Sequence, residues 1–267
     1  MDFLHNPIIG VLYSPLLNVL VLLYQYLPGH DFGIAIIVLT IGIRLIFYPL
    51  MAQAIKSQKT LAELQPKIQE IQRKYKDDKE KQARAMMEFY QKEKFNPLGG
   101  CLPLLIQFPI LIAMFRVFWE GLRPEEMTNL YSFVPQPGII DPTFLGIIDL
   151  SKTFMIKINN QTEYYWPVLL LAILAGFFQF WQSRMMTPKN GRAQKGPLDF
   201  SRMIQKQMLY FFPIFMIFIL LRMPAAIGLY WMVTSLFSIG QQRIIFKKPR
   251  EEGPRLPTGN DVYAKSK

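Results

Sequence analysis

From Phe32 to Met51 the chain reads FGIAIIVLTIGIRLIFYPLM, twenty residues broken by one charge, Arg44. At 1.5 Å per residue such a helix is about 30 Å long, the thickness of a bilayer's hydrocarbon core. Four further apolar blocks follow: Pro97–Phe118, Tyr165–Ser183, Met208–Leu221 and Ala225–Arg243. The charged stretch after the first block is patterned too. Leu61, Leu64, Ile68, Ile71 and Tyr75 recur at steps of three and four, which marks one face of a helix. Beyond Asp77 and Asp78, a second stripe runs through Ala83, Met86 or Met87, and Tyr90. Two narrow stripes joined by a short turn predict an antiparallel hairpin, with Pro66 bending its first arm. The fold class is therefore all-α: a polytopic membrane protein with a five-transmembrane-helix core and a cytoplasmic helical hairpin.

This pattern divides the chain as follows. Residues 1–31 hold an amino-terminal segment with an outer interfacial helix, 32–55 the first span, and 56–95 the charged hairpin. The second span is 96–119, an external loop is 120–163, and the third span is 164–183. A cytoplasmic loop (184–206), the fourth and fifth spans (207–245) and a disordered basic tail (246–267) complete it. Pro7–Leu27 is apolar, but Pro15 interrupts it and Pro28 ends it. Too few residues lie between those prolines to cross a bilayer, so a helix along the outer interface is expected, with a sixth crossing as the alternative. The third apolar stretch, Trp166 to Trp181, and the fourth, Met208 to Leu221, are short for a full core, which suggests local bilayer thinning.

Charge sets the orientation. The chain carries a net charge of +11. Residues 1–43 contain no Lys or Arg, whereas 56–95 hold eleven, 184–206 six and 243–267 seven. The positive-inside rule then puts the amino terminus outside and the carboxyl terminus in the cytoplasm, the parity that five crossings give. The hairpin, with eleven basic against seven acidic residues, suits ribosomal RNA or anionic headgroups, or is simply a solvated surface. The lone Cys101 supports neither a disulfide nor a metal site.

The absences narrow the chemistry. No span contains Asp, Glu or His, which disfavours a proton-relay transporter, and no phosphate-binding glycine loop is present. GxSxG and HExxH are likewise missing, so no hydrolytic centre, cofactor or metal is expected. Arg44 therefore has no acidic partner within the spans. Such a charge costs about 2.5–3.5 kcal/mol or more to place in a membrane, so it either snorkels to nearby headgroups or serves water and an incoming partner. Thr40, one turn earlier on the same face, supports a wet site.

The Arg in the first span, the hairpin motif LQPKIQEIQRKYK, the run NPLGGCLPLLIQFPI, and Met223-Pro224 before GLYWMVTSLFSIGQQ together resemble the YidC family of membrane protein insertases. The resemblance covers about residues 30–246; Ala225-Ala226 and Ser235 depart from the family's pattern. It implies a five-helix core around a hydrophilic groove, with Arg44, Thr40, Gln182 and Trp231 as groove residues. Leu102, Ile106, Ile110 and Tyr230, on the second and fifth spans, would form a slide for the substrate's apolar helix. It implies an insertase without nucleotide hydrolysis, acting on nascent membrane proteins in the bacterial cytoplasmic membrane as a monomer. The partners implied are the lipid bilayer, the Sec translocon, and the ribosome or its targeting machinery, with no small-molecule substrate. The rival readings are an anion transporter or channel using Arg44, and a purely structural assembly factor.

Overall fold

The computed structural model describes residues 7–93, 95, 96, 99, 102–121, 123, 126–158, 161–187 and 207–247. Cys101, the 184–206 loop beyond Thr187 and the tail after Lys247 lie outside these residues. Helix α1 runs Pro7–Tyr26, continuous through Pro15. The proline thus removes one backbone bond without ending the helix. Helix α1 meets the 116–141 region along its length. Tyr13 donates to Glu126 Oε2 (2.7 Å), Asn18 Oδ1 accepts from the Tyr131 amide (2.7 Å), and the Tyr24 hydroxyl accepts from the Asp141 amide (3.1 Å).

Helix α2, Phe32–Ile46, opens on Asp31, whose carboxylate accepts from the Ile34 amide (2.9 Å) as an N-cap. The first apolar block does not continue as one straight rod. The chain bends by 68° between α2 and α3, Tyr48–Lys74. Pro49 has no N–H to give the Leu45 carbonyl, and its ring crowds that carbonyl, so a bend forms there. Gln241 Nε2 donates to the Tyr48 carbonyl (3.1 Å) and ties the elbow to the last helix.

Helix α3 passes through Pro66 unbroken and returns as α4, Lys79–Lys92, which Asp78 caps by accepting from the Lys81 amide (3.0 Å). Gln82 Nε2 reaches the Gln72 carbonyl (2.9 Å) and Lys67 pairs with Glu93 (3.2 Å). These cross-links descend one arm as they climb the other, so the hairpin is antiparallel. Its seam buries Leu64 and Ile68, and on α4 Met86 is partly covered while Met87 points outward.

Helix α5 spans Leu102–Trp119 and α6 Trp166–Met186. At 21 residues, α6 is about 31 Å long and continues five residues past Trp181 into the polar Gln182-Ser183-Arg184 turn. A π-turn, Gln207–Phe211, leads into α7, Phe212–Leu220, and α8 runs Ala225–Lys247. By length and apolar composition, α6 alone among the described helices qualifies to cross a membrane, with the bent α2–α3 pair qualifying jointly. Between α5 and α6 the chain forms two small antiparallel sheets, β1 (Thr143–Phe144) with β2 (Ile148–Asp149), and β3 (Met155–Ile158) with β4 (Gln161–Tyr164). Strands of two and four residues within the 120–163 loop leave no periodicity in the sequence.

The most extensive helix pairing is α6 with α8, followed by α2 with α8. Lipid tails are as apolar as leucine, so helices in a membrane gain by close fit, and small residues provide it. A Cβ on Gly176 would sit 2.4 Å from Ile217 Cγ1, so α6 and α7 approach as only glycine allows. Ala225 and Ala226 are fully covered, and their amides donate to the Lys152 and Leu150 carbonyls (both 2.9 Å). The loop thereby satisfies two orphan donors at the start of α8.

Candidate functional site

The bend after Ile46 leaves Arg44 in the last turn of α2, facing α5 and α8 rather than continuing along a straight span. Its Nη2 donates to Gln107 Oε1 on α5 (3.2 Å), and Gln107 Nε2 donates to the Tyr230 hydroxyl on α8 (2.7 Å). Three helices are thus joined by a chain of one cation, one amide and one phenol. Gln107 is the one side chain among the described residues to which Arg44 hydrogen-bonds, and Arg44 makes no ion pair there.

These groups border a cavity lined also by Thr40, Ile43, Phe47, Met51, Ile110 and Thr234. Its volume is about 10 Å³, room for about one water and not for a peptide. Thr40 is 1% exposed and donates to the Ile36 carbonyl (2.6 Å), leaving its oxygen as an acceptor. Thr234 Oγ1 is buried with no partner of hydrogen-bonding geometry among the described residues. Buried hydroxyls seldom stay unpaired without water, so the wall suits a hydrated site. Among the described residues no cluster could hold a metal ion.

The structure brings Arg44 together with Thr40, Ile110 and Tyr230. Trp231 and Gln182 lie elsewhere, on the α6–α8 side. The Trp231 indole donates to Gln179 Oε1 (3.1 Å), which Ser235 Oγ also meets (3.4 Å). Gln182, one turn beyond Gln179 on α6, is partly exposed. Ser235 thus adds a second donor to the Gln179 oxygen within this seam. Leu102 and Ile106 are partly covered, while Leu105 (64%) and Phe108 (57%) carry the open face of α5.

Sequence reading missed Gln107 and Gln179, and took Tyr230 for an apolar surface rather than a hydrogen-bonding one. A signal existed for Gln107: it is the one amide inside the apolar run LPLLIQFPILIAMF. Also missed was Arg116, whose guanidinium lies 4.1 Å from the Tyr13 ring centre and pairs with Glu120 (3.0 Å). It falls near the end of the second apolar block, where an interfacial charge draws no notice.

The family model described as 60Kd inner membrane protein matches residues 22–252. A Fusobacterium nucleatum protein named membrane protein insertase YidC is 36% identical over 218 residues, covering 82% of this chain and 87% of its own. Proteins of the same name from Geobacter metallireducens and Aeromonas salmonicida are 33% and 34% identical over 89% and 84% of this chain. The chain spans only 37% and 34% of those two relatives. An intramembrane-type cation bridged through an amide to the last helix is thus found in a chain that belongs to the 60Kd inner membrane protein family, alongside proteins named as YidC insertases.

Proposed function

We propose that this chain is a membrane protein insertase that draws the polar end of a short substrate partway into the bilayer without hydrolysing nucleotide. The observation that carries the reading is Arg44, a charge held among helices by a neutral amide beside a small polar cavity. A cation so placed lowers the cost of bringing acceptor groups, above all carboxylates, out of bulk water. The site as it stands holds about one water, so a substrate enters by parting α2, α5 and α8 at this point. The substrate's apolar helix then leaves into lipid along the second and fifth spans, past Leu102, Ile106 and the open residues Leu105 and Phe108. Its transfer into hydrocarbon drives the step. A membrane potential positive outside adds about 2.3 kcal/mol per 100 mV for each acidic residue moved outward.

In this reading the core crosses the membrane five times, with the α3–α4 hairpin and carboxyl terminus in the cytoplasm, as the charge distribution favours. Contacts of α1 with the 116–141 region from Tyr13 to Gln25 support a helix lying across the outer end of the bundle. Gln182 and Trp231, with Gln179, extend the polar lining toward α6. The net-positive hairpin receives substrate from the ribosome or its targeting machinery, and the Sec translocon is a second partner.

The test is reconstitution of the purified chain in liposomes with a short single-span substrate bearing an acidic outer tail. Insertion is expected, with Arg44→Ala lowering it at least about tenfold and Arg44→Lys keeping much of it, since long-range charge rather than bidentate geometry is at work. Anion flux without insertion would mark a channel instead. Neither activity, or full activity of the Ala variant, would refute the reading.

A further inference from the structure

Arg44 takes its partner from within the protein, and that partner is chemically weak. Gln107 Oε1 accepts from Nη2 at 3.2 Å, at the long end of the hydrogen-bond range, while its Nε2 holds the Tyr230 hydroxyl at the shorter 2.7 Å. The amide is therefore anchored to α8 and only leans on the guanidinium. A carboxylate in its place would form a charge-assisted, bidentate pair of about twice the strength. Gln107 engages one of the five N–H donors of the guanidinium, so a carboxylate that takes Nη2 as part of a two-point pair does so in place of the amide oxygen.

Resting on the insertase reading, we infer that Gln107 is the specificity-determining residue of the Arg44 site: its amide oxygen stands in for a substrate carboxylate and yields to one. Because the stand-in is neutral, Arg44 keeps its charge unneutralised and ready. Acidic segments displace it, and amide or hydroxyl groups compete with it on nearly equal terms. Tyr230 holds the displaced amide on α8, so the site resets when the substrate leaves into lipid. The occupant is thus an aspartate or glutamate side chain of the translocated segment.

The experiment measures, in liposomes, the ratio of insertion of two substrates that differ only in an acidic or a neutral outer tail. Gln107→Glu puts a permanent carboxylate against Arg44 and is expected to lower that ratio about tenfold or more. Gln107→Leu removes the competitor and is expected to raise it, by up to about fivefold. A general folding defect lowers both substrates together and leaves the ratio where it was. An unchanged ratio in Gln107→Glu, with Arg44→Ala lowering it in the same assay, overturns the inference while leaving the Arg44 reading intact. A ratio indifferent to Arg44→Ala removes both. Should Gln107→Glu fail to fold, Gln107→Leu decides alone: a lower ratio would mean that Gln107 positions Arg44 for substrate and does not compete with it.

Discussion

Arg116→Met should loosen α1 on the bundle. In detergent or lipid the apolar face of α1 gains little by docking, because the surrounding tails are equally apolar. Polar contacts therefore carry most of the attachment, and Arg116 lies at their centre. Its side chain is 12% exposed and its partner Glu120 16%, and the guanidinium also stacks on Tyr13, which donates to Glu126. The Arg116–Glu120 pair lies one turn apart at the end of α5 and can persist when α1 lifts away, so the direct loss to α1 is the cation–π contact with Tyr13, about 1–2 kcal/mol at a mostly covered site. At 1.4 kcal/mol per decade this raises the open population about five- to thirtyfold. Hydrogen exchange of the α1 amides in micelles reads this directly, with protection expected to fall by about one decade. Arg116→Lys, which keeps a cation over the ring, should recover part of it. Exchange in Arg116→Met within about twofold of wild type would refute the argument.

Gly176→Ala should destabilise the protein in a detergent melt by about 1–3 kcal/mol, because the new methyl lands on Ile217; Ile217→Ala should restore part of the loss, and a melt blind to both would place the helices further apart. The Asp78 carboxyl, held below its ordinary range first by the Lys81 amide and then by its ammonium, stabilises the start of α4 above its unfolded pKa. That contribution is lost as pH falls through the lowered folded value, so the Lys81 amide resonance should titrate with a midpoint under about 3.9, and a higher midpoint contradicts the cap. In a Cys101→Ala background, cysteines at Thr40, Gln182 and Trp231 should all react with a water-soluble thiol reagent supplied from the cytoplasmic side, Gln182 fastest because it alone is partly open at rest. Uniform protection would remove the wet groove.

What the sequence determined by itself was whatever depends on composition along one element. Apolar length marked the helices, and steps of three and four found the hairpin whose seam buries Leu64 and Ile68. Arg44 was legible because a charge in an apolar run is costly wherever the chain folds. Tertiary structure decided which polar groups meet. Gln107 and Tyr230 lie 123 positions apart in the chain, and only the crossing of α5 and α8 sets them 2.7 Å from each other. Trp231 likewise took Gln179 and not Gln182 because helical phase, 100° per residue, turns one amide into the α6–α8 seam and the other toward its edge. The elbow at Phe47 belongs to both levels: Pro49 permits a bend, but its 68° and the cavity beneath it follow from Gln241 and α8 holding the far side. Local sequence prices each residue's environment, whereas the partner that meets that cost is set by packing between segments far apart in the chain.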